Sequence, residues 1–414
     1  MEQATSKERK KPVAKGAGIR KSGLAAWKDK TGMSVKRPKG DEVVEVSPTT
    51  AANKEYKWII MPKAFQDATK LPGIVTGTVS AIWGHSNVGK TTFINHALAS
   101  AQNMGYIPVI IDTENSFSFQ YAKSMGFKAE PIYGNVEVEH VDPDTGEIST
   151  TIENQIINWD GDFIYYNNKI LAERFGDIDY QTGKKVSKKR NVAVVEDVAS
   201  AILELLDAQD NGDIQQGFLF CWDSVGSIGC FRDYASASKI PNPMWGAAAV
   251  NQAFSPIVND RIPSSRKVSS KYENTFLYVQ RVWLDSTSNP VGMPTMQPRS
   301  GKGLYWATRL CFLMGGQLTS GIKRLTATSK GFTYTYGIET KIKVLKNHLD
   351  APYNVCFEKN LVATDTGFIG VDELEEYKRT HITQIIAKLN EMAGGKVQVT
   401  EKDIQFEEHE EESE

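Results

Sequence analysis

The hydrophobic pattern changes character along the 414 residues of the chain. Residues 1 to about 52 show no apolar period and are rich in Lys, Gly, Ser and Thr. Such a segment cannot bury enough apolar surface to offset the entropy lost on ordering. It is expected to be a flexible arm, with ordered structure from Tyr56-Lys-Trp-Ile-Ile60 onward. Thr78-Val-Ser-Ala-Ile-Trp83 is an apolar run ended by glycine, the mark of a strand buried on both faces. A helix is predicted from Thr91 to Asn103, a strand from Ile107 to Asp112 and a short helix from Phe119 to Met125. Strands alternating with helices need crossovers, and crossovers give a parallel sheet.

Residues 128 to about 190 break that rhythm. Asp142-Pro-Asp-Thr-Gly-Glu and Asp179-Tyr-Gln-Thr-Gly-Lys read as two hairpin turns, and Gly134-Asn-Val-Glu-Val-Glu-His-Val alternates beside the first. The segment is expected to be a partly antiparallel insertion on the edge of the domain. The rhythm then resumes, with helices from Val192 to Asp207 and from Trp245 to Asn259. Strands follow at Gly217–Asp223, Asn274–Gln280 and Ala307–Met314, and Tyr334–Asn347 supplies one or two more. Leu374, Ile382, Ile385, Ile386 and Leu389 line one face of an amphipathic helix over 371–393. The chain thus divides into an arm (1–52), an α/β core (53–373, with the insertion), a C-terminal helix (374–396) and a tail (397–414).

Charge alters this picture at the two ends. Residues 1–40 hold twelve lysines and arginines against three acids, and 401–414 hold eight acids against one lysine. A basic head and an acidic tail on a chain of net charge -2 suggest nucleic-acid contact with built-in competition, or else two solvated flexible tails. Cys221, Cys230, Cys311 and Cys356 are far apart and read as reduced, buried thiols of a cytoplasmic protein. No apolar run reaches the ~18 residues of a membrane span.

The candidate chemistry lies just after the first buried strand. Gly84-His85-Ser86-Asn87-Val88-Gly89-Lys90-Thr91 fits G-x-x-x-x-G-K-[ST] at every position. Glycines let the loop turn its N–H groups onto phosphate oxygens, and the following helix adds its positive end. Lys90 supplies a cation for the β- and γ-phosphates, and Thr91 a hydroxyl for Mg2+. The ligand expected is therefore ATP with Mg2+. Asp223 ends a strongly apolar strand, where a second carboxylate would hold Mg2+ through its water shell. Glu114 follows the neighbouring strand; spacing alone leaves open whether it polarises a water or is a solvated loop acid.

With these residues in place, the chain resembles the RecA-type recombinases and their archaeal and bacteriophage relatives. Gly84 to Thr92 resembles the family P-loop. Ile111-Asp-Thr-Glu-Asn115 resembles the segment of the catalytic glutamate, which falls on Glu114. Tyr121-Ala-Lys-Ser-Met-Gly126 resembles the helix whose tyrosine stacks on adenine, here Tyr121, and Asp223-Ser-Val resembles the second metal motif. Glu339 to Tyr353 is similar to the segment that reaches across a filament interface. Its first trans-acting cation matches Lys346, while His348 stands at the second. Gln280 fits the γ-phosphate sensor, although Val279 replaces the usual asparagine. The insertion and the basic arm have no counterpart in the resemblance.

The resemblance implies a RecA-like P-loop core with a mostly parallel central sheet. It implies a DNA-dependent ATPase that forms helical filaments on single-stranded DNA, with ATP between protomers, and that pairs and exchanges strands in recombination and repair. Two DNA-facing loops are implied near Arg232–Met244, with Lys239, and near Trp283–Lys302, with Arg299, Ser300, Gly301 and Lys302. A phage origin, hence the cytoplasm of a bacterial host, fits the departures outside the motifs. The rival readings are a hexameric ring helicase and an ATP-gated DNA-binding protein with little hydrolysis.

Overall fold

A computed structural model describes residues 52–141, 146, 148–236, 243–285, 295–298, 303–316, 322–394 and 398–410, and Lys30 besides. Apart from Lys30 and Ala52, the basic arm lies outside the described residues. In chain order the core elements are β1 (Val79–Gly84), α1 (Lys90–Asn103), β2 (Ile107–Asp112), α2 (Phe119–Ser124), β3 (Ile164–Asn167) and α3 (Asn168–Phe175). They continue with α4 (Val195–Asp210), β4 (Phe218–Val225), α5 (Pro243–Pro256), β5 (Thr275–Gln280) and β6 (Leu310–Met314). The last are β7 (Lys323–Ser329), β8 (Phe332–Asn347), β9 (Glu358–Thr364), β10 (Gly367–Ile369), α6 (Leu374–Met392) and β11 (Gln405–Glu410).

The main sheet has eleven strands in the order β10-β9-β8-β6-β1-β5-β4-β2-β3, with β7 pairing β8 and β11. The strands from β6 to β3 are mutually parallel. The wing from β8 outward is antiparallel. The parallel strands are buried on both faces because each separates two cores. Along β5, Leu277 and Val279 join α1 and Phe65 on one side. Phe276 and Tyr278 join α4 and α5 on the other. Burial on both faces explains why these strands read as continuous apolar runs rather than alternating ones.

The structure departs from expectation in four places. The insertion does contain two antiparallel hairpins, Glu130–Val141 with Ile148–Asp160 and Ile178–Asp179 with Lys184–Lys185. Between them, however, β3 and α3 belong to the core, with β3 parallel to β2 at the sheet edge. The acidic tail is not a free tail as far as Glu410. Its residues 405–410 form β11, paired antiparallel with β7. Phe406 packs edge-on to Tyr336, and Lys323 pairs with Glu408 at 3.1 Å, so ladder bonds and one aromatic contact outweigh the charge. The segment expected as a second loop carries a short hairpin, Val282–Asp285 with Thr295–Pro298. Cys221, Cys230 and Cys311 are buried free thiols, but Cys356 is exposed. No helix among the described residues is long and apolar enough to cross a membrane.

One contact ties the wing to α1. The Phe368 N–H donates to Nε2 of His96 at 3.0 Å, which requires that nitrogen to carry no proton. Burial lowers the His96 pKa to about 4. Gly367, beside it, has φ +124, and a Cβ there would lie 2.4 Å from His96 Nε2, so the turn needs glycine. Because the folded-state pKa lies below the unfolded value near 6.5, the unfolded chain binds the extra proton between the two values. The stabilisation is therefore complete above about pH 6.5 and lost as pH falls toward 4, at up to ~1.4 kcal/mol per pH unit. Urea unfolding of His96→Gln, which keeps an acceptor but does not titrate, should show a shallower pH dependence over this window. Parallel curves for the two proteins would place the titration elsewhere.

Candidate nucleotide site

The P-loop runs from the end of β1 into α1 along the carboxyl edge of the parallel strands. Two close approaches demand its glycines. A Cβ on Gly84 would lie 2.5 Å from the Met314 carbonyl oxygen. Gly89 has φ +90 and would press a Cβ to 3.0 Å from Ala363. Val88 is buried and anchors the loop in the core, while Ser86, Asn87 and Thr91 are exposed. The loop opens on a cavity of about 210 Å3. Lys90, Thr91, Glu114, Asp223 and Arg281 line it together with the loop backbone.

Two strand ends bring the carboxylates there. β4 and β2 lie in register with Asp223 opposite Asp112. Thr113 then clamps them: its N–H donates to the Asp223 carbonyl at 2.8 Å, and the Trp222 indole donates to its hydroxyl at 3.0 Å. Glu114 is thereby fixed beside Ser224, whose hydroxyl donates to one carboxylate oxygen. Arg281 donates to the other at 2.5 Å. Asp112 is buried and accepts N–H bonds from Glu114, Ser116 and Phe117 and the Tyr165 hydroxyl. It shapes the loop that carries Glu114, and four donors leave it poorly placed to act as a base itself.

The electrostatics follow from the crowding of charges in a partly buried site. Burial pushes the Asp223 carboxyl up to about 7, with the Glu114 charge adding and Lys90 opposing. Burial brings the Lys90 ammonium down to about 8; Asp223 works against this shift and Arg281 adds to it. The Lys90 ammonium meanwhile donates to the His85 carbonyl. This donor set fits an anion with a hard divalent cation: an ammonium, a hydroxyl and a carboxylate face one cavity at a helix start.

The other expected residues fall into three groups. Thr92 and Tyr121 stand behind the loop, hydroxyl to hydroxyl at 2.7 Å, and the Tyr121 hydroxyl also reaches the Thr364 carbonyl at 2.9 Å. Gln280 is buried opposite Trp83 at the end of β5, with its amide donating to the Arg281 carbonyl at 3.1 Å. Lys346 is not in this cavity. It lies opposite Cys311 on β6, whereas Met314 lies beside Gly84, so about 10 Å of strand separates the two levels. Its ammonium donates to the Tyr305 and Trp306 carbonyls at 2.6 and 3.2 Å, and burial lowers its pKa. His348 is also shifted down, first by burial and then by Lys346 and Arg309, which keeps it neutral at pH 7. Lys239, Arg299, Ser300, Gly301 and Lys302 all lie outside the described residues.

Residues 61–165 match the RecA N-terminal domain. Protein RecA of Aquifex aeolicus is 36% identical over 95 residues, which is 23% of this chain and 26% of that protein. Protein RecA of Kineococcus radiotolerans is 32% identical over 121 residues, 28% of this chain and 30% of that protein. These matches support a RecA-type family for this chain over residues 61–165, about a quarter of its length. The likeness to Aquifex covers about a quarter of the length of that relative. The family match holds the P-loop, Glu114 and Tyr121, while Asp223, Gln280, Arg281 and Lys346 fall beyond it. The sequence pattern alone does not single out Arg281 and Ser224, which the fold brings to Glu114. Arg281 directly follows the expected sensor glutamine, and a cation at that strand end was the available signal.

A metal-holding role for Asp223 has a pH signature. Mg2+-dependent nucleotide affinity should rise as Asp223 loses its proton near pH 7, and fall above about pH 8 as Lys90 loses its own. Titration with a fluorescent nucleotide across pH, with and without Mg2+, measures both limbs. Asp223→Asn should remove the Mg2+-dependent lower limb and leave the upper one. A lower limb that survives in Asp223→Asn would assign it to another group.

Proposed function

We propose that the protein is a DNA-dependent ATPase that polymerises on single-stranded DNA and promotes homologous pairing and strand exchange. The observation that supports this most is the convergence of Lys90, Thr91, Asp223 and Glu114 on one cavity, while Lys346 sits outside it. ATP would lie on the P-loop with its γ-phosphate toward Glu114, and Mg2+ between Thr91 and Asp223. The bound Mg2+ would neutralise charge on the phosphates. Glu114 orients and deprotonates the attacking water; Ser224 and Arg281 hold its carboxylate in place until a phosphate competes for the arginine. Gln280 transmits γ-phosphate occupancy to the 283–302 segment that follows it. Tyr121 closes the base side of the site.

Lys346 is bonded to the Tyr305 and Trp306 carbonyls, about 10 Å of strand from its own P-loop, which favours a site completed by a neighbouring protomer. A filament therefore suits the geometry better than a self-sufficient monomeric ATPase. A neutral His348 leaves Lys346 as the stronger of the two trans-acting groups. The loops around 232–244 and 283–302 would face the DNA.

Glu114→Gln keeps the shape of the site and removes the anionic base. Nucleotide binding should survive, and turnover should drop by the ~10²–10⁴-fold typical of a lost general base. Filaments on single-stranded DNA, seen by electron microscopy with ATP, should then persist longer. Turnover at the wild-type rate would remove Glu114 from the chemistry.

Lys346→Ala should leave nucleotide binding by dilute, DNA-free protein intact and abolish the stimulation of turnover by DNA. Rings in the micrographs, together with unaltered stimulation in this variant, would favour the helicase reading instead. An unfolded variant by circular dichroism would show that its bonds to Tyr305 and Trp306 are structural.

A further inference from the structure

The turn at Asp179–Lys184 has no part in the nucleotide site. It closes the hairpin Ile178–Asp179 with Lys184–Lys185, and the chain continues through Val186-Ser-Lys-Lys189. Lys184, Lys185, Lys188 and Lys189 are all exposed, with no acid among 184–189. The nearby acid Asp179 is occupied by the turn, accepting the Gln181 and Thr182 N–H groups at 2.8 and 3.2 Å. Lys185 pairs with Asp177 at 3.1 Å, and Lys189 donates to the Glu173 carbonyl at 2.8 Å. Among the described residues, neither Lys184 nor Lys188 has a carboxylate partner.

The hairpin is held against the start of one expected DNA-facing segment. Arg190 and Asp197 form a buried ion pair at 2.7 Å, and the Tyr180 hydroxyl donates to the same carboxylate at 2.9 Å. The Arg190 guanidinium also lies over the rings of Tyr180 and Phe231, at 5.6 and 5.4 Å. Phe231 opens the short helix Phe231–Ala235 that leads directly into that segment. Between hairpin and helix lies a cavity of about 400 Å3, lined among others by Tyr180, Gln181, Phe231, Arg232 and Trp245. Arg232 is exposed and stacks 4.3 Å over Trp245. Aromatic faces beside unpaired cations are the residue types that hold single-stranded nucleic acid without reading its sequence.

We propose that the lysine hairpin is an additional nucleic-acid contact. It takes phosphates of a single strand that also passes the helix Phe231–Ala235, and the cavity between hairpin and helix receives part of the connecting nucleotide. The inference rests on the DNA-binding reading above. It adds a contact supplied by the insertion of this chain.

The test compares two triple variants with the wild type. One replaces Lys184, Lys185 and Lys188 by Ala. The other replaces Lys63, Lys70 and Lys359, which belong to elements around the opposite face of the sheet. Affinity for labelled oligo(dT) is read by anisotropy across a salt series. Each phosphate contact contributes about 0.7 to the slope of log affinity against log salt for single strands. The hairpin variant should be flatter by about 2, and the control unchanged. Nucleotide binding without DNA should match wild type in both, which checks folding. If the hairpin triple fails to fold, Lys184→Glu and Lys188→Glu singly should each weaken binding at low salt. A wild-type slope in the hairpin variant, or a slope change seen only with duplex DNA, overturns the proposal. A wild type that does not bind oligo(dT) at all overturns the DNA-binding reading instead.

Discussion

The site depends on keeping like charges together at partly buried strand ends. Asp112, Glu114 and Asp223 share one end of two adjacent parallel strands, and only Lys90 and Arg281 among the cavity-lining residues answer them with positive charge. Removing water from carboxylates is costly, so each must be satisfied by a specific donor. Asp112 resolves this with backbone N–H groups and Tyr165, and Glu114 with Ser224 and Arg281. Asp223 has the least complete answer, and the upward shift of its pKa expresses the deficit. A divalent cation would remove it. The free site is thus held in a state that a metal and a polyphosphate relieve from opposite directions.

Such an arrangement needs a rigid frame, and the two-faced core supplies it. The strands that deliver Gly84, Asp112, Asp223 and Gln280 are neighbours buried on both sides. A shift of one strand by a residue would turn aromatic side chains from one core into the other. Register is therefore fixed far more strongly by packing than by the polar contacts at the strand ends. The Thr113 clamp adds direction rather than bulk stability, joining the two ends that carry the acids.

Much of this frame was legible in the sequence because it is local. The P-loop, the apolar runs on either side and the acids at strand ends all lie within a few residues of the elements that place them. What was not legible depends on distant partners. Arg281 meets Glu114 across 167 residues, a pairing set by strand order rather than by spacing. β3 was hidden because it sits inside a polar insertion and spans only four residues. The acidic strand was hidden by composition: Phe406 among carboxylates reads as a solvated tail until Tyr336 is known to lie beneath it. Lys239 and Arg299 to Lys302, expected to face DNA, lie outside the described residues.

The strand β11 has a consequence for how copies of this chain can meet. An unpaired strand edge is an open template on which another chain can extend the sheet. Here the edge of β7 is already taken, and the strand that takes it exposes Glu407 and Glu408. Two such borders brought side by side would set carboxylates against carboxylates. Backbone-to-backbone growth of the sheet is thus discouraged on this flank.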